Sequence, residues 1–377
     1  MTYLDYNATT PLAPEAFEAM RPYLERHHGN PSSIHAAGRE TRAAIDDARD
    51  RIARLLGAKP HEIIFTSSGT ESDNLAVIGL ARQNAAQGKR VLTCRAEHHA
   101  VLHAAEALAA DGFEVEFLPV DEHGVLRLDA LHDALIPGTT VVSVMSANNE
   151  SGTLQPIDEI AELCHQHGAL FHSDMVQTFG KQPVHVSTEG PDAISIAAHK
   201  FYGPPGCGVL WLRAGVSIQK IQFGGFHENE RRPGTENVAA IAGTAVAAEF
   251  VLRDMGAEQS RQASLRDRLW KGISGHCPEA VRNGHTTQTL ANTLNVSFPG
   301  LSGESLIMAL DLEGVCVSSG SACMVGSIMP SHVLLAMGIP AEIAQATVRY
   351  SLGHGTTEAE IDHALVATAR VVNRLKA

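Results

Sequence analysis

Five places in this 377-residue chain set a reactive side chain just after a short run of β-branched and apolar residues. The run Ala193–Ala197 leads to His199 and Lys200, ahead of the turn residues Gly203 and Pro204. A lysine there can be buried enough to lose its proton, and a Schiff base needs that neutral amine; a solvated surface lysine is the ordinary alternative. The run Ala169–His172 leads to Asp174, with Gln177 three positions on. An acid so placed can pair with a protonated ring nitrogen, or simply cap a turn. After Glu62–Thr66 come Ser67, Ser68, Gly69, Thr70 and Glu71, with Ser68 and Glu71 at capping-box spacing. A helix start of this kind offers free N–H groups and a positive dipole end to a phosphate, and an ordinary helix cap explains it equally well. His98 follows Arg90–Cys94 and Asn149 follows Thr140–Met145. An imidazole can stack on a flat ligand and move protons near neutral pH.

Each residue alone has a structural reading; the set acquires meaning from the elements that carry it. In open α/β sheets ligands bind beyond the carboxyl ends of the strands. A phosphate cradle, an acid, a lysine, a ring and an amide on one such edge are most economically explained by pyridoxal 5'-phosphate. The alternation of strand-like runs with amphipathic stretches over residues 60–215 predicts a mainly parallel seven-stranded sheet, with Gly208–Leu212 as the last strand. The predicted helices include 73–86, 100–111 and 157–167. An Ala-rich stretch over 240–270 predicts a long helical connection. It leads to a smaller α+β region with strands near 293–298, 315–318 and 347–352 and a final helix over 358–375. The expected division is a large α/β domain over 15–250 and a small domain formed by 1–14 and 251–377.

Composition narrows the partners. A chain of this length at 44% hydrophobic composition buries a sizeable core, and a formal net charge of −13 works against binding a phosphate backbone. No nucleic-acid or membrane partner is expected. The start has no signal-like n- and h-regions and no long apolar run follows, so a cytoplasmic location is expected. The six cysteines show no metal-ligand or disulfide spacing, and all but Cys323 read as buried small hydrophobes. His27, His28, His165 and His167 read as solvated surface.

Over essentially its whole length the chain resembles the NifS/IscS-like cysteine desulfurases, which are fold-type I pyridoxal-phosphate enzymes. The resemblance rests on Leu4-Asp5-Tyr6-Asn7-Ala8-Thr9-Thr10, Gly29-Asn30-Pro31-Ser32-Ser33, Gly69-Thr70-Glu71-Ser72-Asp73-Asn74, Asn148-Asn149-Glu150, Asp174-Met175-Val176-Gln177 and His199-Lys200. It continues through Arg232-Pro233-Gly234-Thr235-Glu236-Asn237, Ser318-Ser319-Gly320-Ser321-Ala322-Cys323 and Arg349-Tyr350-Ser351-Leu352-Gly353. It implies that Lys200 joins the cofactor covalently, Asp174 pairs with the pyridine nitrogen, Gln177 contacts the ring hydroxyl, and His98 stacks on the ring as an acid/base. It further implies that Gly69, Thr70 and His199 hold the phosphate, with Thr235 from a second subunit of a homodimer. Asn149 and Arg349 would hold the substrate carboxylate. L-cysteine would give up its sulfur to Cys323 as a persulfide, leaving alanine, for delivery to an acceptor such as an iron–sulfur scaffold.

A selenocysteine lyase shares every cofactor contact, and an aminotransferase of this fold makes Cys323 incidental. The chain also departs from the family pattern. Ala197 stands where a serine commonly donates to the phosphate, and the Ser68 hydroxyl is expected to compensate. Phe226 replaces a glycine. Met324 and Val325 make the segment after Cys323 more apolar, although its Ser, Gly and Ala residues still favour a mobile loop.

Overall fold

The computed structural model describes residues 1–319 and 329–376. Cys323 and its neighbours Met324 and Val325 lie outside the described residues. The chain opens with β1 (Thr2–Tyr3) and then builds β2 (Ile63–Thr66), β3 (Arg90–Cys94), β4 (Glu114–Leu118), β5 (Thr139–Ser143), β6 (Leu170–Asp174), β7 (Ala193–Ala197) and β8 (Gly208–Leu212). Four strands follow: β9 (Val281–Asn283), β10 (Thr293–Ser297), β11 (Val315–Cys316) and β12 (Thr347–Ser351).

Strands β2 to β8 form a seven-stranded sheet in the order β2-β8-β7-β6-β5-β3-β4. Only β8 is reversed, pairing antiparallel with both β2 and β7. The other six strands therefore deliver their carboxyl ends to one edge. Both faces are covered, which is why strands such as β7 (Ala-Ile-Ser-Ile-Ala) are buried throughout. Side-chain alternation divides the packing: Phe65, Ile194 and Trp211 meet Ile45 and Ile52 of helix Ala36–Leu56 and Ala248 of helix Val238–Arg253. On the other face Ile64, Val91 and Leu210 meet Leu75 and Leu80 of helix Gly69–Gln83 and Val101 of helix His99–Ala110.

In the second sheet β10 pairs antiparallel with β9 and β12. Helices Met255–His276, Gly303–Leu312 and Glu358–Lys376 contribute Leu269, Leu310 and Val371 to a core with Val296 and Tyr350. The chain start joins this region, since β1 pairs with β11 and Leu4 is part of the same core.

Four features differ from the sequence expectation. The connection over 240–270 is two helices, broken at Asp254 (φ −124°, ψ 27°), a residue type that competes with the helix for its own backbone. Helices Pro14–Glu25 and Ala36–Leu56 precede the first predicted element; dense Arg and Asp dilute the apolar stripe of the second. Cys316 is half-exposed, whereas Cys94, Cys164, Cys207 and Cys277 are buried as expected. His165 is not simply solvated: its Nε2 lies 3.3 Å from buried Asp192, and its side chain is 30% exposed. Among the described residues no helix is long and apolar enough to cross a membrane.

Candidate active site

A cavity of about 410 Å³ opens where β2, β3, β5, β6 and β7 end, within the size range of small-molecule sites. Its lining includes Ser68, Gly69, Thr70, His98, Asn149, Asp174, Gln177, His199, Lys200 and Arg349. All but one of the predicted contact residues within the described chain therefore meet in one place. The exception is Thr235, which is exposed and does not line the cavity of its own chain.

Beyond β2, Ser68 caps helix Gly69–Gln83, its Oγ accepting from the Glu71 N–H at 3.1 Å. The capping box is only half formed. The Glu71 carboxylate accepts instead from the Ser67 N–H at 2.6 Å and from Arg232 Nε at 2.8 Å, because the guanidinium offers it a charged partner. A Cβ at Gly69 would lie 2.8 Å from Val176 Cγ2 and 3.3 Å from Ala197 Cβ, so only glycine lets the helix start sit against the cavity wall. Gly208 matters similarly, since a Cβ there would stand 2.5 Å from the Ser68 carbonyl.

Beyond β7, Lys200 is half-buried. Its Nζ donates to the carbonyls of Asn7 at 2.6 Å and Ala8 at 2.7 Å. His199 Nδ1 lies 3.2 Å from Thr9 Oγ1, and burial, then Lys200, pushes its pKa down to about 4. At the end of β6 the buried Asp174 accepts from the Val176 N–H at 2.8 Å. Burial raises its pKa to about 6, against the pull of that N–H and of Lys200. Burial also lifts two neighbouring carboxyls, Asp73 and Glu97, well above the carboxylate range, and the charge of Asp174 adds to both shifts.

His98 caps helix His99–Ala110, its Nδ1 accepting from the Ala100 N–H at 3.1 Å. Burial lowers its pKa to about 4, with Lys200 and the neighbouring histidines adding to the shift. At neutral pH the ring is thus uncharged with its proton on Nε2.

Arg349, on β12, is 1% exposed. Its Nη1 donates to the Asn149 carbonyl at 2.9 Å and its Nη2 to Asp5 Oδ1 at 2.8 Å. Asn149 thereby orients the arginine through its main chain. Asn7 links the two sides of the site: its side chain donates to the Asn149 carbonyl at 3.2 Å, while its own carbonyl accepts from Gln177 Nε2 at 2.9 Å as well as from Lys200. Lys181 completes this network, donating to Asn7 Oδ1 at 3.1 Å and Gln177 Oε1 at 2.7 Å.

Sequence reasoning assigned no role to Asp5, Asn7 or Glu150, although all three lie in its quoted motifs, and it passed over Lys181 and His332. The signal for Asp5 and Asn7 was polar residues in a segment, 1–14, expected to pack into the small domain.

The residues fit pyridoxal phosphate. The helix start is an anion cradle held open by Gly69, Lys200 lines the same cavity, and Asp174 is a buried acid suited to a cationic ring nitrogen. Fold and site together define a pyridoxal-phosphate enzyme of fold type I. The chain belongs to the class-V aminotransferase family, whose model matches residues 2–364. It is 46% identical to the cysteine desulfurase IscS of Dictyoglomus turgidum over 99% of this chain and 95% of that protein. Among solved structures it is similar to a NifS-like protein (TM-score 0.93, 35% identity, 99% of this chain and 100% of that one). It is also similar to SspA in complex with cysteine (TM-score 0.83, 32% identity, 93% of this chain and 99% of that one).

Proposed function

We propose that this enzyme is a cysteine desulfurase, converting L-cysteine to L-alanine and retaining the sulfur as a persulfide on Cys323 for an acceptor protein, such as an iron–sulfur scaffold, in the cytoplasm. The observation that carries the reading is that Lys200 and Arg349 line one cavity. An amine that moves a proton and a planar fork for a carboxylate are what an α-amino acid requires. The cysteine bound to SspA and the desulfurase relative, matched over almost all of both chains, support the choice of amino acid.

When bound, pyridoxal phosphate supplies an electron sink for charge at the substrate α-carbon. Gly69, Thr70 and His199 would hold its phosphate, with Thr235 from the second subunit of a homodimer. Asp174 would face the ring nitrogen, Gln177 the ring hydroxyl, and His98 the ring plane. Asn149 and Arg349 would hold the substrate carboxylate. Lys200 Nζ releases the Asn7 and Ala8 carbonyls and takes the α-proton. The Cys323 thiolate attacks the substrate sulfur, and the new S–S bond replaces the substrate's C–S bond. The same reading divides the chain into a large domain, 15–250, and a small domain, 1–14 with 251–377, which carries Cys323.

The test is alanine formation from L-cysteine and a reductant by cofactor-loaded wild type and Cys323→Ala. Alanine from wild type alone is expected. Equal alanine from both would remove Cys323 from the reaction, and none from wild type would overturn the substrate assignment.

A further inference from the structure

Three imidazoles stand in a row on the cavity wall: ring centroids of His98 and His99 are 6.3 Å apart, and those of His99 and His332 are 4.6 Å apart. The two outer rings present opposite faces of acid–base chemistry. His98 spends the lone pair of Nδ1 on the Ala100 N–H, so it offers the cavity an Nε2–H donor. His332 Nε2 lies 2.9 Å from the Glu97 carbonyl oxygen, which can only accept, so a neutral ring must keep its proton on Nε2. Its Nδ1 is therefore the lone-pair atom. The ring is held in place from both sides. It packs on His99, and the preceding Ser331 caps helix His332–Ala336 while donating its hydroxyl proton to the buried carboxylate of Glu150.

No step proposed above uses His332, and none removes the proton of the substrate thiol. A cysteine thiol, with an ordinary pKa near ~8.5, keeps its proton at neutral pH. We infer that His332 is a catalytic base that takes the Sγ proton of the bound L-cysteine onto Nδ1. As the bond from Cys323 to the substrate sulfur forms, the S–H bond breaks, its electron pair stays on that sulfur and an N–H bond forms on the ring; no oxidant or reductant takes part. The alanine methyl group needs one hydrogen more than the cysteine methylene, and the proton lifted from the thiol balances it. This inference rests on the desulfurase reading.

The experiment compares L-cysteine with L-selenocysteine, whose selenol is already ionised at neutral pH and needs no such base. His332→Gln keeps an N–H for the Glu97 carbonyl but has no basic nitrogen. Alanine formation from both substrates is measured on the same preparations of wild type and His332→Gln, with cofactor absorbance recorded, so that loss of folded or loaded enzyme cancels in the ratio. The rate with L-cysteine is expected to fall about 10²-fold, as for loss of a general base. The selenocysteine-to-cysteine ratio should rise at least ~10-fold over wild type. An unchanged ratio, whether both rates fall together or neither falls, overturns the role of His332 while leaving desulfuration standing. Absence of alanine from L-cysteine with wild type overturns the desulfurase reading itself, and this inference with it.

Discussion

Lys200 and Arg349 reach the same cavity from different sheets and are held in opposite ways. Lys200 is half-buried, and its Nζ is bonded to two uncharged main-chain carbonyls. Arg349 is almost fully buried, paired with Asp5, and its backbone exchanges hydrogen bonds with Ser318 at 2.7 and 3.2 Å. Carbonyl bonds can be given up at modest cost, whereas breaking an ion pair at a buried guanidinium leaves an uncompensated charge. On the proposed reading, the amine that reacts is thus tied by bonds it can release, and the guanidinium that recognises the carboxylate is tied by charge.

The sharpest way to break the comparison is to remove the reacting side. Lys200→Ala should lower alanine formation by about 10³–10⁴-fold, the upper part of the range for a positioned proton-transfer group, while the variant keeps its melting temperature. Asp5→Asn probes the recognising side. It removes the ion pair between Asp5 and buried Arg349, so KM for L-cysteine should rise about tenfold, equivalent to ~1.4 kcal/mol, and the melting temperature should fall. Lys200→Ala would then act on turnover and Asp5→Asn on KM, and the reverse pattern would refute the comparison.

A third test uses acid. Fully buried His172 has ring nitrogens 2.9 Å from Ser143 Oγ and Ser195 Oγ, and burial lowers its pKa to about 3. Folded protein holds this ring neutral, whereas the unfolded chain protonates it below about 6.5. Its contribution to stability is therefore present at neutral pH and lost as pH falls from about 6.5 to about 3, at most about 5 kcal/mol in all. Between pH ~7 and ~4 the melting temperature of His172→Gln should fall less than that of wild type. The smallest expected effect belongs to Ser68→Ala. Losing one hydroxyl donor near the cradle should weaken cofactor retention about 3–10-fold, read by equilibrium dialysis, and unchanged retention would end the idea that Ser68 compensates for Ala197.

Much of the catalytic edge was legible because it follows strands. His98, Asn149, Asp174 and Lys200 stand just beyond short buried runs whose alternation sets both the sheet and the edge to which it delivers polar groups. What holds those residues was not legible. Asn7 reaches Lys200 across 193 positions of sequence, and the His332 contact with Glu97 spans 235. No local periodicity encodes a contact between a loop at the chain start and the end of a distant strand. The partners of Lys200 were hidden for the same reason: its own strand and turn say nothing of the carbonyls that bind it, which come from residues 7 and 8. Glu71 shows the limit of local reading on a smaller scale. Its spacing from Ser68 predicts a capping box, and Arg232, distant in sequence, takes the carboxylate.

The central claim is that sulfur leaves L-cysteine for Cys323. Wild-type enzyme given one equivalent of L-cysteine without reductant, then quenched, digested and analysed by mass spectrometry, tests it most directly. The account predicts a gain of one sulfur atom on the peptide carrying Cys323, with matching alanine in solution and none on the half-exposed Cys316. Alanine formed with Cys323 unmodified, or sulfur found on Cys316 instead, would contradict it.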